Sequence, residues 1–299
     1  MAQTAVILLN YNNFDDTVDC LASLEQSAYR DFQVYLVDNN SPDGSGEALL
    51  RRYGDTCRVI CTNENLGYAG GNNIGLKKAY QDGCSYFCIL NNDTQVHPHM
   101  LGQLVKYLQE QESCGIVSPA IMEFNDRDTV QSTGGKIIFK TGNVDMCNRG
   151  KKHSELAPLY RPDYVGGACM VCTRKVLETV GYIPEAYFLF YEETEWCYQT
   201  RKAGLDVVCC TKAQVYHKGS VSVNRIGGLS EYLMERNRMR FVCRNAALWQ
   251  KLCFICYANL RAIYRGIFRD KAYLRYLKFY FDGLFNRVDK KFSFIRIAE

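Results

Sequence analysis

Four times in the first hundred residues, a short apolar run ends in a cluster of asparagine and acidic side chains. Ala5–Leu9 runs into Asn10-Tyr11-Asn12, Phe32–Val37 into Asp38-Asn39-Asn40, Arg58–Cys61 into Asn63-Glu64-Asn65, and Tyr86–Leu90 into Asn91-Asn92-Asp93. Helix-like segments separate the runs: Thr17–Leu24 with Val18, Leu21 and Leu24 at helical spacing, Glu47–Tyr53, Asn73–Gln81 and His99–Gln111. Ser41-Pro42-Asp43-Gly44 is turn chemistry, and Gly115–Ser118 begins a fifth run. Strand and helix alternating at this spacing demand parallel strands joined by crossover helices, an α/β fold with a mostly parallel sheet. Ligands of such sheets collect at the carboxyl ends of the strands, where the four polar clusters fall.

Beyond residue 120 the alternation weakens. Asn125–Asp163 is polar and expected to be loop-rich. Ala168–Thr173 is apolar, Val176–Val180 a short helix, Glu193–Ala203 a helix capped by Gly204, and Leu205–Cys210 a strand. From about residue 230 the chain reads as helical, aromatic and basic, with 15 Lys and Arg against 6 Asp and Glu in 230–299, leaving 21 against 26 in the preceding 229 residues. An acidic body with a basic tail points to an anionic partner for the tail. Tyr232, Arg236, Arg240 and Arg244 recur every fourth residue, so this tail reads equally as an amphipathic helix on an anionic membrane surface and as a cap packed on the body. Nucleic acid is not expected, because no binding motif accompanies the basic residues.

Hydrophobic residues make up 47% of the 299, enough for one large domain and an appendage. No signal peptide is expected from residues 1–10, and no run approaches a membrane span, Leu252–Leu260 being interrupted by Asn259. The 15 cysteines read as reduced thiols packed like small apolar side chains. Cys169 and Cys172, and Cys253 and Cys256, have zinc-like spacing but lie in apolar segments.

Four segments carry candidate chemistry. Asn63–Asn73 is glycine-rich between a strand and a helix, and reads either as an anion-binding loop or as an ordinary turn; it is not the G-x-G-x-x-G fingerprint. In Leu90–Thr94, Asp93 is either a ligand for a hard divalent cation or a helix cap. Phe190–Cys197 packs Glu192, Glu193 and Glu195 beside an aromatic run, suited to a sheltered general base or to a helix dipole. Helical spacing groups Glu192 with Glu195 and Trp196 and turns Glu193 elsewhere. His217-Lys218-Gly219-Ser220 follows the strand-like Ala213–Tyr216 and offers a metal ligand beside a phosphate-seeking lysine, against the bland reading of a structural histidine.

In order and spacing, Val6–Tyr11, Asp38–Ser41, Asn65–Asn73, Leu90–Thr94, Gly166–Cys169, Tyr191–Cys197 and His217–Ser220 resemble the family-2 nucleotide-sugar glycosyltransferases of GT-A fold, in particular their bacterial rhamnosyltransferase-like branch. The resemblance spans residues 4–225 and implies a catalytic domain over 1–228, with a nucleotide-sugar half to about 120 and an acceptor half from 121, followed by a helical region 229–299. It implies that Asn10, Tyr11, Asp38, Asn65, Gly71, Asn72 and Asn92 attend a dTDP- or UDP-linked donor. Asp93 and His217 would hold Mn2+ or Mg2+, and Glu193 would be the base of an inverting single displacement. Gly167, Glu192 and Trp196 would line the acceptor side. The expected acceptor is a hydroxyl on a glycan or lipid-linked glycan of cell-surface polysaccharide synthesis, and the expected location is the cytoplasm, peripheral on the inner membrane face. Two departures stand out: Asn91 replaces the first acid of the family's D-x-D motif, and Glu193 replaces an aspartate, which leaves Glu192 and Glu195 as alternative bases. They keep open the alternative of a sugar-nucleotide or glycan-binding module without turnover. A nucleotidyltransferase is disfavoured, since Asn10–Asp15 holds neither the glycine nor the lysine that such a class places after its first strand.

Overall fold

The computed structural model describes residues 3–219, 228–268 and 273–295. In chain order the first half comprises β1 (Thr4–Asn10), α1 (Phe14–Glu25), β2 (Phe32–Asp38), α2 (Ser45–Tyr53), β3 (Arg58–Cys61), α3 (Gly67–Gln81), β4 (Tyr86–Asn91), β5 (Thr94–Val96), α4 (Met100–Glu110) and β6 (Cys114–Glu123). The remainder adds β7 (Val130–Ser132), β8 (Gly135–Ile138), β9 (Asn143–Met146), β10 (Leu159–Tyr160), β11 (Cys169–Thr173), α5 (Arg174–Thr179), α6 (Glu192–Lys202), β12 (Asp206–His217), α7 (Leu229–Asn245), α8 (Leu248–Phe268) and α9 (Tyr273–Leu284).

The sheet runs β10-β12-β6-β11-β4-β1-β2-β3. Strands β1 to β4 are parallel, β12 is parallel to β6, and β11 is inserted antiparallel between β4 and β6. The apolar runs are continuous because the sheet is covered on both faces. On β1, Val6 and Leu8 enter the core shared with α1 and α4, whereas Ala5 and Ile7 enter the core under α3. Asparagine suits the turns beyond the strand ends, where Asn12 and Asn40 adopt φ of 52° and 60°.

The structure corrects several expectations. The glycine-rich segment is no loop: α3 begins at Gly67 and takes in its glycines. A Cβ on Gly71 would lie 2.5 Å from Leu9 Cδ1, so that glycine lets the helix settle against β1. Leu205–Cys210 and Ala213–Tyr216 belong to one strand, β12, whose register shifts between Cys210 and Gln214. Asn125–Asp163 contains four short strands, of which β8 and β9 form a separate hairpin. Cys169 and Cys172 point to opposite faces of the sheet, and no group of three or more metal-ligating side chains occurs among the described residues. Ser220, the end of the His217–Ser220 motif, lies outside the described residues.

The tail makes the largest correction. Tyr232, Arg236 and Arg240 do not form an outward stripe; all three are buried, Arg236 completely. Helix α7 instead grips residues 186–190. Asn237 Nδ2 donates to the carbonyls of Tyr187 (2.9 Å), Leu189 (2.8 Å) and Phe190 (2.9 Å). Arg236 Nη1 donates to Ala186 O at 3.1 Å, and the backbone N–H of Tyr68 donates to Phe188 O at 2.8 Å. Every carbonyl from 186 to 190 thus has a partner outside the segment. Burial lowers the Arg236 guanidinium to about 10, which leaves it charged at neutral pH. The segment needs such holding, because Phe188, Phe190 and Tyr191 have φ of 65°, 69° and 72° without being glycine.

Asn237→Ala removes the amide shared by three carbonyls, and the expected cost is about 2–3 kcal/mol. Thermal or denaturant unfolding of the folded variant reads it directly; unchanged stability would mean that the segment is held by other contacts.

Candidate active site

The carboxyl ends of β1, β2 and β4 open into two adjoining cavities. Tyr11, Asn39, Asn65, Tyr68, Asn91, Asn92, Asp93 and Leu189 contribute to the first. Gln131, Tyr164, Gly167, Leu189, Glu192, Glu193 and His217 contribute to the second. Tyr68, Asn91 and Leu189 line both and form the partition between them. The Tyr68 hydroxyl donates to Gly167 O at 2.6 Å, which ties α3 to the approach to β11 across that partition.

Sheet register brings Asp93 and His217 together. Beyond β4, Asn92 and Asp93 turn the chain into β5, whose Thr94 pairs with His217 of β12. The Lys218 N–H then donates to Asp93 O at 3.0 Å. His217 Nε2 stands 3.2 Å from Asp93 Oδ1, yet both atoms are buried without a hydrogen-bond partner. His217 Nδ1 lies 2.7 Å from Gln131 Oε1, an acceptor, so the ring proton belongs on Nδ1 and the Nε2 lone pair is free. Two orphaned lone pairs at this separation fit neighbouring ligands of one hard cation, which binds at roughly 2.1 Å from each. Two protein ligands suffice where substrate phosphate and water complete the shell, as is usual for Mg2+.

Glu192 and Glu193 open the first turn of α6 and reach the second cavity from its end. Burial pushes the Glu193 carboxyl up to about 7. Burial, with Glu193 beside it, pushes Glu192 well above the ordinary carboxylate range, and its Oε2 lacks a partner. The pair therefore holds one proton more firmly than the other. Glu195 is not part of it. Its carboxylate takes Arg244 Nε at 3.1 Å and the Tyr187 hydroxyl, away from the cavity. The expected grouping of Glu192 with Glu195 and Trp196 fails because the first two residues of α6 project off the helix end, whereas the next turn faces the core.

The other expected residues divide in the same way. Tyr11, Asn65, Asn92 and Asp93 line the first cavity; Gly167, Glu192, Glu193 and His217 line the second. Asn10 and Asp38 lie below the floor. Asp38 Oδ1 accepts from Asn10 Nδ2 at 2.7 Å and from Ser41 Oγ at 2.6 Å, and its Oδ2 accepts from Ser41 N at 3.0 Å. This network fixes the ends of β1 and β2 under Asn39, which does reach the cavity. Gly71 and Asn72 are buried in α3, with Asn72 Nδ2 donating back to Tyr68 O at 2.9 Å. Trp196 is core, its indole N–H donating to Gly181 O at 2.9 Å. Lys218 pairs with Asp16 and Asp19 of α1 and so is turned from the phosphate role. Sequence reasoning missed Gln131, which sits in the polar segment read as loop, and Asn237, which lies in the tail; neither carries a local signal.

Residues 5–181 match Glycosyl transferase family 2. A low-salt glycan biosynthesis hexosyltransferase, Agl10, of Haloferax volcanii is 27% identical over 88% of this chain and 82% of its own. An N-acetylglucosaminyl-diphospho-decaprenol L-rhamnosyltransferase of Mycobacterium tuberculosis is 24% identical over 74% and 77%. Among solved structures, a mannosyltransferase from Pyrobaculum calidifontis in complex with GDP-Man and Mn2+ superposes with a TM-score of 0.55 at 15% identity, covering 95% of this chain and 85% of its own. With a mostly parallel sheet interrupted by one antiparallel strand, and polar side chains gathered at its carboxyl edge, the chain belongs to glycosyl transferase family 2 and is a glycosyltransferase of GT-A fold.

Proposed function

We propose that the enzyme is an inverting transferase that moves a sugar from a nucleotide-diphosphate donor onto an acceptor hydroxyl in one displacement. The observation that carries this reading is that Asp93 of the first cavity meets His217 of the second at 3.2 Å, and that the second cavity also holds the Glu192–Glu193 pair. The donor is a dTDP- or UDP-linked hexose, with rhamnose favoured by the family branch. The acceptor is a glycan or lipid-linked glycan of cell-surface polysaccharide synthesis, met at the inner face of the cytoplasmic membrane. Residues 1–228 are the catalytic unit, with the donor half to about 120 and the acceptor half beyond it; 229–299 complete it through α7.

The roles follow from position. Tyr11, Asn39, Asn65 and Asn92 form the wall for the nucleotide sugar, and Asn10 with Asp38 keeps that wall in place. Asp93 and His217 would hold Mn2+ or Mg2+, which supplies Lewis-acid stabilisation of the departing nucleotide diphosphate. Gln131 orients the His217 ring, and Asn91 leaves the site one carboxylate poorer than a D-x-D motif. Glu193 takes the acceptor proton as the oxygen attacks the anomeric carbon; a carboxyl near 7 is half ionised at neutral pH and basic enough to keep the proton. Glu192, with its higher proton affinity, stays neutral and donates a hydrogen bond. No covalent intermediate is required, so the configuration inverts. Gly167 keeps the acceptor channel open beside Tyr68.

Calorimetric titration tests the donor side. One of UDP and dTDP is expected to bind only with Mn2+ present, and Asp93→Ala or His217→Ala should weaken that binding by roughly tenfold or more. Equal affinity with chelator would sink the metal assignment; failure of both nucleotides would point to a different carrier.

Initial rates at saturating donor test the base. Turnover should rise with pH through about 7 and then level off, because the deprotonated Glu193 is the active form. Glu193→Gln should lower kcat by about 100-fold or more, lose that pH limb and keep its donor affinity. Glu192→Gln, which mimics the neutral acid, should stay within about tenfold of the parent. Near-normal turnover by folded Glu193→Gln would make the assignment wrong.

A further inference from the structure

Helix α8 is built inside out. Of its residues only Phe254, Ala258 and Ala262 are buried, one small stripe at every fourth position. Its large apolar side chains face away from the protein, with Leu248 74%, Leu252 57%, Leu260 67%, Ile267 64% and Phe268 70% exposed. The helix has no acidic residue. Its arginines turn inward, Arg261 to Glu235 at 2.6 Å and Arg265 to Glu231 at 2.8 Å, both partners lying on α7. Beyond Lys251 the outward face therefore carries no charge. An amphipathic helix of an ordinary soluble domain does the reverse. An apolar surface of this extent marks an interaction site.

We infer that the outward face of α8 embeds in the headgroup–acyl boundary of an anionic bilayer, lying flat on it. This deepens the membrane reading of the proposed function by naming its surface, which is not the arginine stripe of α7. The charge pattern selects the occupant. Exposed cations pair with exposed rings here: Lys140 Nζ lies 5.2 Å from the ring centre of Trp249 on α8, and at the end of α9 the Arg287 guanidinium lies 5.4 Å and 5.6 Å from those of Phe281 and Phe285. Lys290 and Lys291, a few residues beyond Arg287, are exposed too, so the outward charge of this region is positive at these positions even though most arginines of α7 and α8 are buried or paired. A second copy would bring this surplus against itself, whereas anionic lipid supplies the opposite charge. Tryptophan, tyrosine and basic residues bordering an apolar face suit the interface. No helix among the described residues is long and apolar enough to cross a membrane, so the helix lies in the surface.

The buried side of α8 connects to the site through the β8–β9 turn. Gly142, in the β8–β9 turn, packs against Phe254, and its carbonyl accepts from the Tyr191 hydroxyl at 2.7 Å. Tyr191 immediately precedes Glu192 and Glu193. Docking on α8 thus anchors to the bilayer the assembly that positions the carboxylate cavity, where an acceptor anchored in lipid would present its sugar. This consequence rests on the acceptor assignment of that cavity; the docking does not.

The full chain is tested by flotation with vesicles of phosphatidylcholine containing about 30% phosphatidylglycerol, and by its fluorescence. The chain has two tryptophans, and Trp196 is buried while Trp249 is 54% exposed, so a vesicle-dependent blue shift reports Trp249. The expected result is co-flotation, a blue shift that Trp249→Phe abolishes, and roughly tenfold weaker binding by Leu252→Glu/Leu260→Glu. Both leucines project outward, so that variant should keep its melting temperature and its UDP or dTDP affinity. If nucleotide binding is lost in the parent, the donor reading fails and the docking stands. No flotation by the folded parent, or a dimer in sedimentation that Leu260→Glu dissociates, would overturn the bilayer in favour of a second copy or of neither.

Discussion

The catalytic edge depends on how α7 holds the backbone of residues 186–190. Phe188 and Phe190 there, and Tyr191 just beyond, take positive φ without being glycine, each at a cost of roughly 1–2 kcal/mol, and the segment would not keep this shape by itself. Asn237 and Arg236 hold four of the five carbonyls, and Tyr68 holds the fifth. Because Tyr68 also opens α3 and bonds Gly167, the same contacts set the partition between the two cavities. The helix start that carries Glu192 and Glu193 is thus positioned from two distant parts of the chain. Gly67 is part of the fit: a Cβ there would lie 2.3 Å from Phe188 O.

The two ends of the cleft are tuned in opposite senses. At Asp93 and His217 unpartnered lone pairs face one another, an arrangement that invites positive charge. At Glu192 and Glu193 burial and mutual repulsion disfavour ionisation, so proton affinity rises there instead. Under the proposed function the donor diphosphate meets Asp93 and His217, and the acceptor hydroxyl meets Glu193. Tyr68 marks the seam between the two cavities, with Asp93 lining the first and His217, Glu192 and Glu193 lining the second.

The parallel half of the fold was legible because its strands are buried on both faces and end in asparagine, which leaves long apolar runs with sharp polar ends. The order of the motifs that carry Asp93, His217 and the Glu192–Glu193 pair identified the family, and the fold brings these four residues to adjoining cavities. What failed were judgements of direction. Glycines of α3 that accommodate Leu9 and Phe188 look in sequence like those of a phosphate loop, since both need the missing Cβ. Asp38 and Asn10 look like ligand groups, yet their hydrogen bonds are spent on each other and on Ser41. Glu195 was expected to share the side of Glu192, but the fold places Arg244 beside it. Partners such as Gln131 and Asn237 come from far along the chain and act through one hydrogen-bonded contact surface each, which no local pattern records.

The tail displays the same difficulty in its charges. An arginine every fourth residue on α7 invites the picture of a cationic face, but a helix packed on three sides buries such side chains if carbonyls and carboxylates await them. Arg236 finds the carbonyls of Ala186 and Arg287, and Arg238 finds Glu235. Glu235 and Glu231 also draw in Arg261 and Arg265, which strips the neighbouring helix of outward charge. The acids of α7 thereby create the apolar face of α8. A helix pair that internalises its ion pairs and externalises its leucines is organised for a medium less polar than water, and its inner side rests on the hairpin that meets Tyr191. On the proposed docking, catalytic geometry and surface attachment become two uses of one helical assembly.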